Sequence, residues 1–456
     1  MKPHNQQEPS QRISMARLTS DPPVHSAHQK YGVTGNSVSG GCFDMRHGHG
    51  RLRSARLGVR AAAAAALAIS VLVSAGCGSE SHAAEEKPAE LSKLDTGNYP
   101  TKPQDPIAAD PAKQARILEA ARLGNILPLG SEIDPTLARN GSGVHIFTEP
   151  NTYDGILNID HFAEDAAGFV VGFATSARPA DDVFLGYTLT NTVMIFDSDA
   201  AAANAANALV RRGFWLSQDG AVVDSLHSAQ HPAAQIIWAP TEQRLASWYP
   251  TGKFVIFTMF DLVENRSVEH SFGVAPEPAP LALADKAIDV TTERLKTFQP
   301  TPPDKLASLP LDPDGMLRVT LPRPAGDQTS AAFTGTLDRQ GMLHVVENPA
   351  KYRDLFEKTG VDSISDGAGF LVRAKDSDSA QTFLDSASAS RYQHRIDPPA
   401  GLPNAHCVKY HGPDDHAAPF HCYVAYGRYA ATVWSQQQQD VYQRISAQYA
   451  ILANNK

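Results

Sequence analysis

The sequence predicts an α+β fold of two tandem β-α-β-β-α units, duplicates of one plan, with antiparallel sheets covered by helices on one face. Three observations predict it. The order strand, helix, strand, strand, helix is legible twice, a proline cluster separates the two occurrences, and each occurrence closes on an amphipathic helix.

In the first unit a β-rich run, Thr192 to Phe196, meets Asp197, Ser198 and Asp199, which can cap a helix over Ala200 to Arg211. Strands follow at Ala234 to Ala239 and Phe254 to Phe260. The spacing of Ala287, Val290 and Leu295 predicts a closing helix over Leu283 to Phe298. In the second unit Gly369 to Ala374 is the strand, Asp376, Ser377 and Asp378 the cap, and Ser379 to Ser388 the helix. His406 to Tyr410 and Cys422 to Trp434 are the later strands, and Val441, Ile445, Tyr449 and Leu452 mark a final helix over Asp440 to Leu452. Each later strand carries a glycine, a base and an aromatic: Gly252-Lys253-Phe254 and Gly427-Arg428-Tyr429. Ahead of the first unit, Phe169 to Phe173 reads as a buried strand interrupted by Gly172, and Asn158 to Ala166 as a loop or short helix.

Pro300, Pro302, Pro303, Pro310 and Pro313 remove backbone donors and fix extended geometry, which places a boundary there. The expected organisation is an N-terminal domain over 113–300, a proline-rich linker over 301–314 and a C-terminal domain over 315–456.

The start of the chain carries an address. Arg46, Arg51, Arg53, Arg56 and Arg60 precede an apolar run from Ala61 to Val73, and Ser74, Ala75, Gly76 and Cys77 follow it. That run is too short to span a bilayer, which takes about 20 residues. A basic region, a short apolar region and small residues make a secretory signal peptide. The cysteine after them matches a bacterial lipobox, so Cys77 is the expected lipidation site, carrying diacylglycerol on sulfur as the new N-terminus. Ser74 departs from that pattern, which prefers Leu three positions before the cysteine. The ordinary leader begins at Met45, which makes 45–76 the signal peptide and leaves 1–44 as a disordered preface. From 77 to 112 the chain is rich in Glu, Lys, Pro and Ser, and is expected to be a flexible tether.

Composition narrows the classes further. With 42 % hydrophobic and 20 % charged residues the chain can bury a core, and a formal charge of -9 argues against a nucleic-acid binder. Removing 1–76 leaves 456 - 76 = 380 residues with 31 basic and 46 acidic groups, or -15. Outside the cytoplasm, Cys407 and Cys422 are expected to form a disulfide, whose loop of 14 residues is worth on the order of 3 kcal/mol.

Chemistry is harder to read. The sequence holds no Gly-x-Ser-x-Gly elbow, phosphate-binding glycine loop or dinucleotide fingerprint. Glu164 and Asp165, beside Asp160 and His161, are paired acids of the kind that ordinarily form a solvated face. His406, His411, His416 and His421 recur every five residues, a metal-ligand set by residue type but not by helix or strand spacing. Trp248, Tyr249, Lys253, Tyr426, Arg428 and Tyr429 are the residues that would line a ligand pocket, or else pack the sheets and their turns.

With its lipobox, acidic tether, proline break and C-terminal pattern Cys422-Tyr423-Val424-Ala425-Tyr426-Gly427-Arg428-Tyr429, followed by Gln448-Tyr449-Ala450, the chain resembles an uncharacterised family of actinobacterial cell-envelope lipoproteins. The likeness includes Asp165 to Arg178 and Asn191-Thr192-Val193. It implies a two-part ectodomain and carries no enzymatic role. The expectation is therefore a lipoprotein held at the outer face of the cytoplasmic membrane, a non-catalytic module that binds an envelope glycan, lipid or protein and needs no cofactor. Two alternatives stay open: an envelope hydrolase or other enzyme with a site built from the Asp160 to Asp165 region or the histidine loop, and a metal-binding lipoprotein using the His406 to His421 loop.

Overall fold

The computed structural model describes residues 89–106, 110–141, 146–149, 156–180, 186–214, 216, 222–262, 271–273, 278–324, 335–388, 392–412 and 418–455. The preface, the signal peptide, Cys77 and His416 lie outside them. No helix among the described residues is long and apolar enough to cross a membrane.

The fold is α+β. Helix α1 (Pro111–Gly124) starts at Asp110, whose carboxylate accepts the Lys113 amide at 3.0 Å, with Pro111 where no backbone donor is needed. It ends where Gly124 lies against the Phe173 ring; a Cβ there would come within 2.3 Å of the ring. A short helix α2 (Gly130–Ile133) follows, then strands β1 (Arg139–Asn140) and β2 (Ile146–Phe147), helix α3 (Phe162–Asp165), and strands β3 (Phe169–Arg178) and β4 (Thr188–Phe196). Helix α4 (Asp199–Arg212) is capped by the Ser198 hydroxyl, which accepts from the Ala201 amide. Strands β5 (Asp224–Leu226), β6 (Gln235–Ala239), β7 (Arg244–Thr251) and β8 (Phe254–Asp261) lead to helix α5 (Leu281–Leu295). The first sheet is antiparallel, ordered β1-β3-β4-β8-β7-β6-β5, with β2 also on β3.

The second sheet takes β9 (Gly335–Leu337), then β10 (Ser363–Asp366) and β11 (Gly369–Arg373) after helices α6 (Arg339–Val345) and α7 (Pro349–Thr359). Helix α8 (Ser377–Ala387) is capped by Asp376, which accepts from the Ser379 amide. Strands β12 (Gln393–Ile396), β13 (His406–Tyr410), β14 (Phe420–Tyr426) and β15 (Tyr429–Ser435) precede helix α9 (Gln438–Ala453). Its order is β12-β13-β14-β15-β11-β10-β9. Within the two orders, β3-β4-β8-β7-β6-β5 and β10-β11-β15-β14-β13-β12 run alike. In each, a helix carries the chain to the far edge, and the strands return one by one to the centre.

Three expectations need correction. Helices cover both faces of each sheet, not one. Met194 and Phe196 pack with α4, whereas Val193 and Ile195 pack with α1; Phe370 and Val372 pack with α8, whereas Leu371 and Val433 pack with α9. The central strands are apolar at both parities, so both faces must be buried. The run Cys422 to Trp434 is two strands, because Gly427, at φ 52°, opens a two-residue hairpin loop; Gly252, also at φ 52°, does the same between β7 and β8. The tether is ordered over 89–106, where Leu91, Leu94 and Tyr99 pack on the core beneath α9.

The two sheets meet in a built seam. Leu337 of β9 joins the core of the first half, and Leu129 joins that of the second. The Asn140 amide donates to the carbonyls of Leu343 (2.5 Å), His344 (3.0 Å) and Val346 (2.6 Å), capping the C-terminus of α6 from the other half. His344, fully buried, bonds Thr175 Oγ1 through Nδ1 and the Leu127 carbonyl through Nε2, and Arg178 pairs with Glu347 at 2.7 Å. The proline-rich segment is pinned as well: buried Glu119 accepts from the Thr301 amide (2.7 Å) and hydroxyl (2.8 Å), and Leu306 is buried.

Candidate functional site

Strands β13 and β14 carry both of these cysteines and two of the four histidines, His406 and His421. Cys407 and Cys422 sit directly opposite each other, with Cα atoms 4.2 Å apart, and form a disulfide inside the core under α9. The neighbouring pairs, His406 with Tyr423 and Val408 with His421, point to the other face, toward α8. His421 is buried, its Nε2 bonded to the Ala418 carbonyl at 2.8 Å, and burial pushes its pKa down to about 4. Burial, and then the Arg395 charge, also lowers the pKa of His406. His411 lies past the end of β13 and meets His394, ring centroids 5.0 Å apart. The sheet therefore separates His411 from His406 and His421. Among the described residues, no group of three or more His, Cys, Asp or Glu side chains is placed to hold a metal.

The six aromatic and basic residues fall into two sets, one on each sheet. Trp248 is fully buried against Phe257, Tyr249 meets His231 edge-on, and Lys253 stands on the β7–β8 turn. On the β14–β15 hairpin, Tyr426 packs edge-on to Tyr449, Arg428 donates to the Ala374 carbonyl (2.8 Å) and to Asp362 (3.3 Å), and Tyr429 opens the second strand. Lys253 and Arg428 occupy the same place, second in their two-residue turns, and the two sets lie on different sheets.

The paired acids do reach an opening. Glu164 and Asp165 of α3 and Ser198, Asn204, Asn207 and Arg211 along α4 rim an open groove of about 650 Å³, floored by alanines. α4 can floor it because half of its 14 residues are alanine, leaving room above the backbone. Within the rim, Arg212 neutralises Asp165 at 2.6 Å. His161 stands 3.5 Å from Glu164, but both are exposed, at 50 % and 80 %. The groove's own chemistry is hydrogen bonding: amide, hydroxyl, carboxylate and guanidinium around small side chains.

Sequence reasoning missed the buried polar groups. Asp366 is 2 % exposed with its carboxyl 3.1 Å from Arg323, yet burial outweighs that charge and raises its pKa to about 8. Asn140 and His344 join segments some 200 residues apart in sequence, which no local pattern signals.

Residues 106–311 match a domain described as "Domain of unknown function (DUF7373) N-terminal", and residues 316–455 match its C-terminal counterpart. No curated protein matches the chain. Among solved structures, the extracellular domain of PknH from Mycobacterium tuberculosis is similar over 38 % of this chain and 96 % of that one, at 10 % identity and a TM-score of 0.25.

Proposed function

For a chain that belongs, through both of its halves, to the two-part DUF7373 family of unknown function, we propose an extracytoplasmic binding module held to the membrane by lipid on Cys77. The observation that carries this reading is the disulfide between Cys407 and Cys422. Disulfides form and persist on the oxidising side of a membrane and are rare in the cytosol. The arginine-rich leader, the short apolar run from Ala61 to Val73 and the small residues before Cys77 match an export and anchoring signal. A single cysteine carrying several acyl chains gains about 0.8 kcal/mol per buried methylene, enough for stable attachment without a spanning helix.

The ligand site of this reading is the groove between α3 and α4. Asn204, Asn207 and Glu164 offer donors and acceptors to hydroxyl groups, which suits an envelope glycan. Two measurements test the proposal. Cells expressing Cys77→Ala should release the protein from the membrane fraction. Titration calorimetry of the chain from residue 78 with soluble envelope glycan fragments should give heat that an Asn204→Ala, Asn207→Ala variant loses. Membrane retention of the Cys77 variant sinks the anchor, and equal heats from both proteins sink the groove.

A further inference from the structure

Residues 89–106 lie along the C-terminal half although they precede the N-terminal half in sequence. The Ala89 amide donates to the Tyr449 hydroxyl (3.2 Å), and Leu91 and Leu94 pack on the core beneath α9. The Asp95 carboxylate accepts from Gln439 (2.7 Å) and Gln443 (3.1 Å). The Tyr99 hydroxyl donates to Asp440 (2.7 Å), and its ring lies 5.8 Å from the Arg444 guanidinium. Asn454 donates to the Thr101 carbonyl (2.8 Å), the Gln104 amide to the Arg318 carbonyl (3.1 Å), and Arg318 pairs with Asp105 at 3.1 Å. The contacts with α9 range from Gln439 to Asn454, the residue after its end, and the last two reach Arg318. Two glycines fit the path: Gly97 turns at φ 53° against Gln443, and a Cβ on Gly401 would come 3.2 Å from the Lys93 carbonyl.

A passive tether has no use for a tyrosine–aspartate bond or for leucines seated on a core. We infer that this segment is a strap that sets the protein's standoff from the membrane and makes the C-terminal half the part held next to the anchor. The standoff role rests on the reading of Cys77 as lipidated; the seating of the strap does not. Chain geometry gives the size of the effect. From Cys77 to Ala89 is 12 residues, a reach of at most about 40 Å at roughly 3.4 Å per residue. With the strap unseated, the free span runs from Cys77 to Asp110, 33 residues and about 110 Å. Seating removes nearly two-thirds of the reach and ties what remains to α9.

The test uses two independent readouts. In the lipid-free chain from residue 78, hydrogen exchange at the Ala89 and Gln104 amides should be at least tenfold slower than in a Leu91→Ser, Leu94→Ser, Tyr99→Phe variant, with the amides of β4 and β11 unchanged as the check that the variant folds. On a supported bilayer, neutron reflectometry of the lipidated protein should place the protein layer within about 40 Å of the membrane, and the strap variant should spread it outward. Equal exchange in the two chains overturns the strap. Slow exchange in the original chain, with Cys77 found unlipidated by mass spectrometry, overturns the standoff role through the anchor instead. An unchanged layer in the lipidated variant overturns it directly.

Discussion

Asn140 offers the sharpest test of the seam between the two halves. Its side chain is 4 % exposed, and its amide serves three carbonyls at the end of α6, at 2.5, 3.0 and 2.6 Å. Substituting alanine leaves those acceptors buried without that donor. The amide NH2 has two hydrogens to share among the three carbonyls, and a buried polar group left without a partner costs about 1–3 kcal/mol, so Asn140→Ala should lose about 2–4 kcal/mol. For a folded body of roughly 350 residues, with an unfolding entropy of about 2.1 cal/mol/K per residue, that is a fall in Tm of about 3–5 °C. Asn140→Asp is the stronger test, because it sets a carboxylate against three carbonyl oxygens and should cost more than alanine. Differential scanning calorimetry of the chain from residue 78 reads both, and seam loss should also split one transition into two. A fall under about 1 °C for alanine, or an aspartate variant as stable as the original, refutes the argument that this amide joins the halves.

The other predictions follow from named groups. His421 has its folded pKa lowered to about 4, below the ordinary 6.5, so the unfolded chain binds its proton first. Stability should fall as pH drops from about 6.5 to 4, by on the order of 3 kcal/mol, and His421→Gln should flatten that limb in urea titrations read by fluorescence. Asp366 has the opposite sign: its pKa is raised to about 8, so its contribution is full below about 4 and is lost as pH rises through 8. Asp366→Asn should be nearly neutral at about pH 4, already more stable than the original at pH 6, and more so at pH 9 by the same titration. Paired Cys407→Ser and Cys422→Ser substitutions, closing no loop across their 14 intervening residues, should cost about 3 kcal/mol in calorimetry.

What could be read from the sequence was local. The helices α4 and α8 were legible because Ser198 and Asp376 are capping residues set before helical runs, and β13 because a β-rich run is framed by loop residues. β7 escaped, since its mixed Arg-Leu-Ala-Ser-Trp-Tyr-Pro-Thr sequence neither alternates nor runs apolar. The β14–β15 turn was hidden because Tyr426 and Tyr429 continue the aromatic pattern across Gly427 and Arg428. The strap was diluted: Leu91, Leu94 and Tyr99 are scattered through a polar stretch, and only the surface of α9 shows that they are anchors. Of the site, the acids Glu164 and Asp165 were visible as types. Their groove was not, because it exists only where α3 meets the alanine face of α4. The histidines divide: His406 and His421 face α8, His411 meets His394, and His416 lies outside the described residues.

The central claim is that this ectodomain stands outside the cytoplasm on a lipidated Cys77, and mass spectrometry of the protein extracted from membranes tests it most directly. The account predicts an N-terminal peptide that begins at Cys77 with its acyl chains attached, together with a Cys407–Cys422 cross-linked peptide. An unmodified Cys77 inside a peptide that continues back into the arginine-rich leader, with both later cysteines reduced, would contradict it.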